Sequence, residues 1–385
     1  MKKVSILLAG CGGYGKNYVR GLLDYPEPSW KFEGVVDPMA EKSIYYNELR
    51  ERNIPIYENM EDFFREHRAD LSIIAAPIHT HYEYSMYAMD KGSSVLCEKP
   101  VCADANRLDA LEKKERETGL FMAVGYQRCF ARNILALKRD ILDGLFGKPL
   151  QFKMMRMPRR GTAYYTRNGW AGKQRFGGEW ILDSPLQNAC GHEFQLMLFL
   201  LGNSPETSAD LRSLKAELWR GRPGIENYDA AAVRVDTNAD APIYFYTAHC
   251  VHSRDTGPTG EFCFEKGTIH LTVEDGVETF TARFNDGRKK HYESAVEKNN
   301  SIQKMLDSVE AVRNKSRPVC TLATVRPHLD CVLKAQEFPI TAVAEKDLVR
   351  GEENGDEFFY IPGLEEAFSR SYDRAVLPSD INFSV

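Results

Sequence analysis

The chain opens with Val4-Ser5-Ile6-Leu7-Leu8-Ala9-Gly10-Cys11-Gly12-Gly13-Tyr14-Gly15, and this stretch decides the fold. Its first six residues form a short, mainly apolar run that is typical of a buried parallel strand. The next six read G-x-G-x-x-G and precede a helical pattern. Glycines at this spacing permit a tight turn, close approach of the backbone to a pyrophosphate and close packing of helix on strand. We therefore predict a dinucleotide-binding turn whose cofactor-binding residues are Gly10, Gly12, Gly13, Tyr14 and Gly15.

A carboxylate completes this pattern. Asp37 ends the second predicted strand, 22 residues after Gly15. At that position a carboxylate accepts hydrogen bonds from the ribose of the adenosine. The same charge repels a 2′-phosphate, and no arginine follows immediately, so the sequence predicts NAD as the cofactor in preference to NADP.

The residues around the turn indicate an α/β fold with a Rossmann-type, doubly wound parallel sheet. Short apolar runs alternate with amphipathic helical stretches up to Gly125, as expected for right-handed βαβ units. The predicted strands are Val4–Ala9, Phe32–Val36, Leu71–Ala75, Ser94–Cys97 and Met122–Val124. We expect residues 1–125 to form an NAD-binding Rossmann domain.

The remaining sequence has a different texture. Six alternating runs between Lys215 and Phe284 follow one another without intervening helices, which predicts a largely antiparallel sheet. A long apolar helix is expected from about Pro185 to Leu201. We predict that residues 126–335 form an α+β domain for substrate binding and oligomerisation. Residues 336–385 are expected to be a C-terminal extension with one amphipathic helix at Gly363–Tyr372.

Composition excludes several classes of protein. The 385 residues include 50 Lys and Arg against 55 Asp and Glu, a net charge of −5. A mildly acidic chain without a basic block is a poor nucleic-acid binder, and the longest apolar run is too short to span a bilayer. The nine cysteines are odd in number, scattered and without a C-x-x-C pair. This favours a reducing cytoplasm over disulfides, and no cluster has the spacing of a metal site.

Two further motifs carry chemistry. Lys99, in Glu98-Lys99-Pro100, follows a parallel strand at the edge where ligands bind in such sheets, and Pro77 to His81 follow another strand. Asn188 and His192 are spaced i, i+4 and so share one face of a helix. A dehydrogenase needs a base for the hydroxyl proton and a cation or donor for the developing alkoxide. His192 and Lys99 have the required chemistry.

Together these motifs, with Gly125-Tyr126 and the helix that ends at Gly202, resemble the glucose–fructose oxidoreductase/inositol dehydrogenase (Gfo/Idh/MocA) family over about residues 3–335. The resemblance implies an open-faced antiparallel sheet used for homo-oligomerisation, and NAD(P)-dependent redox chemistry on sugars and cyclitols. It implies that Lys99 is the catalytic lysine and His192 the general base. It also extends the cofactor-binding set to Pro77, His81, Glu98, Lys99 and Gln127.

This chain departs from the family pattern in two ways. The family commonly has Asp four residues before the histidine, where this sequence has Asn188, which cannot ionise. Asp183 can take that role if the chain bends at Ser184-Pro185. The stretch from Gly178 to Asn188 is also longer than usual by about four or five residues. The predicted catalytic set is therefore Lys99, His192 and either Asn188 or Asp183.

A basic and aromatic loop between Arg156 and Lys173 is the predicted specificity element. Aromatic faces stack on sugar rings, and Arg or Lys bind hydroxyls or a carboxylate; the alternative is a solvated loop with a few packed aromatic side chains. His249 and His252 read as ordinary sheet residues. The predicted substrate-binding residues are Lys99, Tyr126, Arg156, Tyr165, Arg167, Trp170, Lys173, Asn188 and His192.

Three functions remain open from the sequence. The first is an NAD-dependent oxidoreductase acting on a secondary hydroxyl of a sugar, glycoside or cyclitol. The second is a redox-neutral enzyme that retains NAD, oxidises a glycoside at C3, eliminates a substituent and re-reduces the product. The third is a non-catalytic NAD-dependent sensor, suggested by Asn188.

Overall fold

A computed structural model describes residues 3–26, 28–274, 276–293 and 302–385. Its α-helices are Gly15–Asp24 (α1), Tyr46–Glu51 (α2), Met60–Glu66 (α3), His81–Asp90 (α4), Ala105–Thr118 (α5), Arg132–Leu142 (α6), Thr162–Thr166 (α7), Gly191–Leu200 (α8), Gln303–Asn314 (α9), Leu322–Ala335 (α10) and Leu364–Arg374 (α11). Its strands are Val4–Ala9 (β1), Trp30–Val36 (β2), Ile56–Tyr57 (β3), Leu71–Ile74 (β4), Ser94–Cys97 (β5), Met122–Val124 (β6), Pro149–Pro158 (β7), Arg175–Phe176 (β8), Glu179–Trp180 (β9), Leu211–Arg220 (β10), Ala230–Thr237 (β11), Ile243–Ala248 (β12), Asp255–Phe264 (β13), Gly267–Glu274 (β14), Val277–Phe284 (β15), Lys289–Glu293 (β16), Ile340–Ala342 (β17), Val349–Glu353 (β18) and Asp356–Tyr360 (β19).

The chain divides into two compact units. Unit 1 comprises Met1–Ala131 and Glu297–Arg326, and unit 2 comprises Arg132–Val296 and Pro327–Val385. The division differs from the order of the sequence, because α9 packs with the N-terminal residues. The predicted domain boundaries at residues 125 and 335 stay a prediction.

Unit 1 is built on a six-stranded sheet with the order β3-β2-β1-β4-β5-β6. All neighbouring strands pair in parallel. This is the order of a doubly wound Rossmann sheet, whose direction of winding reverses between β1 and β4. The predicted Rossmann fold is confirmed.

Local sequence explains where the helices of unit 1 begin and end. The Asn59 side chain accepts a hydrogen bond from the Asp62 amide at the start of α3. Asp104 does the same for Asn106 at the start of α5, and Gly119 ends α5 in the left-handed conformation. These are the side chains and the glycine expected at helix caps.

Unit 2 is built on a nine-stranded sheet with the order β16-β15-β14-β13-β7-β12-β11-β10-β17. The β7–β12 and β10–β17 pairs are parallel, and the other pairs are antiparallel. The predicted largely antiparallel sheet is confirmed. On one face of the sheet Phe194 of α8 lies against Phe245 of β12, with ring centroids 5.5 Å apart.

The predicted long helix from Pro185 to Leu201 is wrong in one respect, because it is two elements. Pro185–Ala189 form a π-helical turn, and α8 begins only at Gly191. Ser184 caps the turn by accepting a hydrogen bond from the Gln187 amide. Single π turns of this kind often occur at functional sites.

The C-terminal segment covers part of the other face of the sheet. Ile361, Leu364 and Phe368 join one buried cluster with Trp219 of β10 and Tyr246 of β12. The Tyr246 hydroxyl lies 3.0 Å from the Ser371 carbonyl oxygen and 2.7 Å from the Val376 carbonyl oxygen. The helix predicted at Gly363–Tyr372 is confirmed as α11, and it holds the extension on the sheet of its own chain.

The β18–β19 hairpin precedes α11 and contacts the basic loop. The Thr162 hydroxyl donates to the Glu357 carbonyl at 3.1 Å, and the Ala163 amide donates to Asp356 at 2.9 Å. The Arg159 guanidinium also pairs with Glu353. Sequence patterning did not predict this hairpin. Within the described part of the chain, no helix is long and apolar enough to cross a membrane.

Candidate active site

The predicted cofactor residues of unit 1 follow the ends of its parallel strands. Gly10 follows β1, Asp37 follows β2, Glu98 follows β5, and Pro77 and Gln127 come three residues after β4 and β6. Because these strands are parallel, their carboxyl ends lie along one edge of the sheet, where open α/β sheets bind ligands. The topology therefore brings the predicted cofactor set together.

The glycine turn has the backbone that its sequence predicted. Gly10 has φ +91°, and a Cβ there would lie 2.7 Å from the Ala75 backbone. A Cβ on Gly15 would lie 2.0 Å from the Gly10 carbonyl oxygen, whereas one on Gly12 would meet no protein atom within 4 Å. Gly10 and Gly15 thus permit strand, turn and helix to approach closely, and Gly12 leaves the space in front of the turn open. This geometry fits a pyrophosphate at the start of α1.

Asp37 is held in place by backbone donors. One carboxylate oxygen accepts from the Cys11 amide at 2.9 Å, and the other accepts from the Met39 amide at 2.9 Å. The carboxylate is thereby fixed beside the glycine turn, with acceptor capacity remaining for further donors. It also borders a cavity of about 530 Å³ whose lining includes Pro38, Tyr46, Ile54 and Tyr57. The residues present therefore fit the adenosine half of NAD.

His81 connects two loops at the same sheet edge. Its Nδ1 lies 2.8 Å from the Pro100 carbonyl oxygen and its Nε2 lies 2.8 Å from the Ala76 carbonyl oxygen. Burial lowers the pKa of His81, against the effect of these two carbonyls. Both ring nitrogens thus contact the backbone, which places His81 as a brace for the loop that contains Lys99. Its contact with the cofactor stays a prediction.

A buried polar cluster surrounds Glu98, the residue before Lys99. The Glu98 carboxylate accepts from the Tyr18 hydroxyl at 2.6 Å and pairs with the Lys304 ammonium at 2.5 Å. Lys304 is fully buried and also lies 3.3 Å from the Gly125 carbonyl oxygen and 3.3 Å from the Tyr14 hydroxyl. Sequence reasoning missed Lys304, because α9 comes after β7 to β16 in the chain, far from Glu98, and no motif marks it.

The other predicted residues of unit 1 have distinct environments. The peptide bond between Lys99 and Pro100 is cis, and Lys99 is half-buried. Gln127 accepts from the Tyr14 hydroxyl at 3.0 Å. Tyr126 is only 3% exposed, and burial raises its pKa. The predicted role of Tyr126 in substrate binding stays a prediction.

In unit 2 the structure joins the two candidates for the family aspartate. The Asn188 amide nitrogen donates to the Asp183 carboxylate at 2.8 Å, and the Gly172 amide donates to the other carboxylate oxygen at 2.7 Å. The bend at Ser184-Pro185 thus brings Asp183 to Asn188, and which of the two fills the family aspartate role stays a prediction. His192 lies in the first turn of α8, four residues after Asn188.

The thiol next to this turn is not a candidate nucleophile. Cys190 is buried, and burial raises the pKa of its thiol to about 12. A thiol with such a pKa is almost wholly protonated at neutral pH, and the thiolate is the reactive form. Cys190 is therefore a buried, packed residue at the junction of the π-helical turn and α8.

The basic loop is more ordered than a solvated loop. The Tyr165 hydroxyl lies 2.8 Å from His249 Nδ1. The Arg167 guanidinium lies 3.5 Å from the centre of the Tyr164 ring and 5.0 Å from that of Trp170. Aromatic side chains thus lie beside cationic groups, and the role of this loop in substrate specificity stays a prediction.

Two of the predicted substrate residues have partners within the protein. The Arg156 guanidinium pairs with Asp255 and donates to the Gly257 carbonyl at 2.9 Å, so it braces β13. The Lys173 ammonium lies 5.9 Å from the Phe176 ring centre. Their roles in substrate binding stay predictions.

Comparison with known proteins defines the class. Residues 4–126 match the sequence model of the Gfo/Idh/MocA oxidoreductase family, described as an NAD-binding Rossmann fold. Over this segment, the match bears out the resemblance noted from the motifs. The cofactor class expected from the glycine turn and Asp37, NAD, is that of the family.

Similar proteins with curated functions match over part of their length. The chain is 24% identical over 213 residues to 2,7-anhydro-N-acetylneuraminate hydratase of Mediterraneibacter gnavus, covering 54% of this chain and 51% of that protein. It is 26% identical over 195 residues to inositol 2-dehydrogenase of Klebsiella pneumoniae, covering 50% of this chain and 53% of that protein. The chain thus spans about half the length of these relatives.

Solved structures share the fold over most of the chain. The WlbA dehydrogenase from Chromobacterium violaceum, solved with NADH and UDP-GlcNAcA, has a TM-score of 0.72 and 18% identity over 88% of this chain and 95% of that one. An oxidoreductase from Agrobacterium radiobacter, solved with NAD+, L-tartaric acid and magnesium, has a TM-score of 0.71 and 16% identity over 87% of this chain and 96% of that one. At this identity the likeness concerns the fold.

Proposed function

We propose that the protein is an NAD-dependent oxidoreductase acting on a secondary hydroxyl of a sugar, glycoside or cyclitol. The observation that carries the proposal is the carboxyl edge of the parallel sheet, where the glycine turn and Asp37 occur on the same edge as Lys99. A dinucleotide site and a lysine on one edge provide the parts that a hydride-transfer enzyme requires in its nucleotide-binding domain.

The chemical roles follow from the residue types. Bound NAD accepts or supplies the hydride. His192 takes the proton of the substrate hydroxyl as a general base. Lys99 stabilises the developing negative charge on that oxygen. Asn188, backed by the Asp183 carboxylate 2.8 Å away, orients the substrate by donating or accepting hydrogen bonds, and it does so without a charge of its own.

The relatives support the class of substrate. Inositol 2-dehydrogenase acts on a cyclitol, the M. gnavus hydratase acts on an anhydro sugar acid, and WlbA was solved with a nucleotide-linked sugar acid. A polyhydroxylated ring is common to these names. We extend that feature, and no single substrate, to this chain.

The test is a screen of sugars, sugar acids, glycosides and inositols, followed by the absorbance of NADH. We expect turnover with at least one member, and loss by orders of magnitude in Lys99→Ala and in His192→Ala. NAD affinity should be nearly intact in both variants. Full activity of both variants would refute the proposed roles.

Cofactor preference is a separate test on Asp37. Replacement by serine removes the charge that disfavours a 2′-phosphate. We expect Asp37→Ser to bind NAD more weakly than the unmodified protein does. We also expect it to prefer NAD over NADP by a smaller factor, measured as the ratio of the two dissociation constants. Tighter binding of NADP than of NAD by the unmodified protein would contradict the assignment.

The second candidate is a redox-neutral enzyme that retains its NAD. A hydratase adds water without net oxidation, and the M. gnavus relative is one. In this candidate, oxidation at C3 acidifies the neighbouring C–H, a substituent is eliminated, and the product is re-reduced. NAD that co-purifies with the protein, together with aglycone release and no net NADH, would favour it. Tight NAD binding without any turnover would instead favour a sensor.

We also propose that the protein is a cytoplasmic homo-oligomer, a dimer, tetramer or larger assembly, formed through the sheet of unit 2. The C-terminal segment covers the part of the sheet near β10 and β12, so an interface on that face would use the strands from β14 to β16. Light scattering coupled to gel filtration measures the mass. A monomer at micromolar concentration would contradict the proposal.

A further inference from the structure

Three buried nitrogen atoms beside the basic loop have no hydrogen-bond partner among the described residues. They are Arg160 Nε, Arg222 Nη1 and His249 Nε2. His249 itself is only 2% exposed. An unsatisfied buried donor costs free energy, so native proteins rarely leave one without a partner. Three such atoms from three separate parts of unit 2 indicate a ligand.

The three side chains surround the same pair of tyrosine rings. The Arg160 guanidinium lies 4.9 Å from the centre of the Tyr164 ring, and Arg222 lies 4.9 Å from that of Tyr165. The His249 ring lies 5.3 Å from Tyr164 and 6.1 Å from Tyr165, centre to centre. The Arg160 amide also donates to the His249 carbonyl at 3.1 Å. The unsatisfied atoms therefore belong to one cluster.

Stacking does not satisfy these groups. A guanidinium above an aromatic ring interacts through its face. Its N–H groups lie in its own plane and still need acceptors. The Tyr165 hydroxyl already contacts His249 Nδ1 at 2.8 Å. If that hydroxyl donates, the neutral ring carries its proton on Nε2, which makes Nε2 a third donor.

The charges of the cluster are unbalanced. Arg156 and Arg159 pair with Asp255 and Glu353. By contrast, Arg160, Arg167 and Arg222 form no ion pair with any described residue. Burial, followed by the charges of Arg160, Arg167 and Arg156, lowers the pKa of His249 well below its usual value. The imidazole is thus neutral in a positive environment.

Two carboxylates that act on the tyrosine rings, Asp183 and Asp229, form no ion pair with these arginines. Asp183 accepts from the Gly172 amide and from Asn188. Asp229 is buried and accepts from the Gly221 amide at 2.7 Å, and burial raises its pKa to about 6. Both carboxylates are therefore used within the fold, which leaves a set of donors without an acidic partner.

We propose that Arg160, Arg222 and His249 bind an anionic group of the substrate, a carboxylate or phosphate attached to the sugar ring. A hydroxyl brings one donor of its own, whereas an anionic group presents only acceptors and matches a site made of donors. The inference rests on the proposed function for the presence of a sugar, and it narrows the substrate to acidic sugars.

The C-terminal hairpin holds part of this site. The Arg222 Nη2 donates to the Thr162 hydroxyl at 2.8 Å, and that hydroxyl donates to the Glu357 carbonyl of β19. Phe359 of the same strand lies 5.6 Å from the Arg222 guanidinium, measured to the ring centre. The C-terminal segment thus orients the Arg222 side chain and contributes to the proposed anion site.

The experiment is calorimetric binding to the NAD-loaded protein. The probes are D-glucuronate, D-glucose 6-phosphate and the neutral methyl β-D-glucoside. They are titrated into the unmodified protein, Arg160→Gln and Arg222→Gln. Arg212→Gln serves as a matched control, because Arg212 pairs with Asp240 on the exposed end of β10. Circular dichroism and NAD affinity establish that each variant is folded.

At least one anionic probe should bind the unmodified protein more tightly than the glucoside. Loss of one charged hydrogen bond predicts affinity about tenfold to a hundredfold weaker in Arg160→Gln and in Arg222→Gln. Arg212→Gln should be unchanged. The stronger of the two anions identifies carboxylate or phosphate as the natural group. Equal binding of the glucoside and both anions, no binding of either anion, or unaltered affinity in both folded variants would overturn the proposal.

This test is independent of turnover. If NADH forms equally well from neutral and acidic sugars, the oxidoreductase proposal stands and the anion site is refuted. If the anions bind through Arg160 and Arg222 while no sugar yields NADH, the anion site stands and the redox proposal is refuted.

Discussion

Replacing Lys304 by methionine tests the buried polar cluster around Glu98. Lys304 is fully buried, and its ammonium is the cationic partner of Glu98 at 2.5 Å. Methionine keeps most of the volume and removes the charge. Glu98 would then be a buried carboxylate with the Tyr18 hydroxyl, 2.6 Å away, as its remaining side-chain donor in this cluster. Removing one partner of a buried ion pair costs about 3–5 kcal/mol.

The assay is urea unfolding followed by circular dichroism, without NAD. We expect the free energy of unfolding of Lys304→Met to fall by about 3–5 kcal/mol. The double variant Lys304→Met/Glu98→Gln should recover much of this loss, because a neutral amide costs less to bury than an unpaired carboxylate. Lys31→Met is the control: Lys31 pairs with Glu33 at the surface, and its removal should leave stability within error of the unmodified protein.

Two results would refute this reasoning. One is a stability of Lys304→Met within about 1 kcal/mol of the unmodified protein, since that is the range of an exposed pair. The other is a double variant whose loss equals the sum of the two single losses, because independent sites add and contacting charges do not.

Four other substitutions test the site and the attachment of the C-terminal segment. Gly12→Ala should leave the fold intact, because the new Cβ meets no protein atom within 4 Å, and should abolish most NAD binding, because that Cβ occupies the space in front of the turn. Gly10→Ala should destabilise the protein, because Gly10 has φ +91° and the new Cβ would lie 2.7 Å from the Ala75 backbone. Thermal unfolding and NAD titration distinguish the two variants. Asp183→Asn should lower kcat more than NAD affinity by loosening Asn188, and an unchanged kcat would contradict the orienting role. Tyr246→Phe removes the one hydroxyl proton that two carbonyl oxygens of the C-terminal segment share, and it should cost about 1–3 kcal/mol of stability, measured by urea unfolding.

Sequence reasoning reached the fold because periodicity and glycines act locally. The strand before Gly10 and the carboxylate at Asp37 lie within one βαβ unit, so their relation follows from short-range rules. A bend at Ser184-Pro185 was also foreseen, although the hydrogen bond that it allows between Asn188 and Asp183 was not. These features needed no knowledge of how distant segments pack.

The missed features depend on contacts that are distant in the chain. Lys304 meets Glu98 across 206 residues, and nothing near either residue indicates the other. His249 reads as an ordinary sheet residue, and no motif marks Arg222, until the hairpin and the tyrosines are placed around them. The break at Cys190 was missed because an apolar run looks the same in a π turn and in an α-helix.

The C-terminal segment contacts two parts of unit 2 for which we propose separate roles, the sheet and the basic loop. Its helix α11 covers the sheet, while its hairpin positions the loop around Thr162 and Arg222. If both proposals hold, a change in this segment alters self-association and sugar preference together, with every residue of the nucleotide site unchanged. The C-terminal segment would then be the part of the chain in which mutations affect both the proposed oligomer and the proposed anion site.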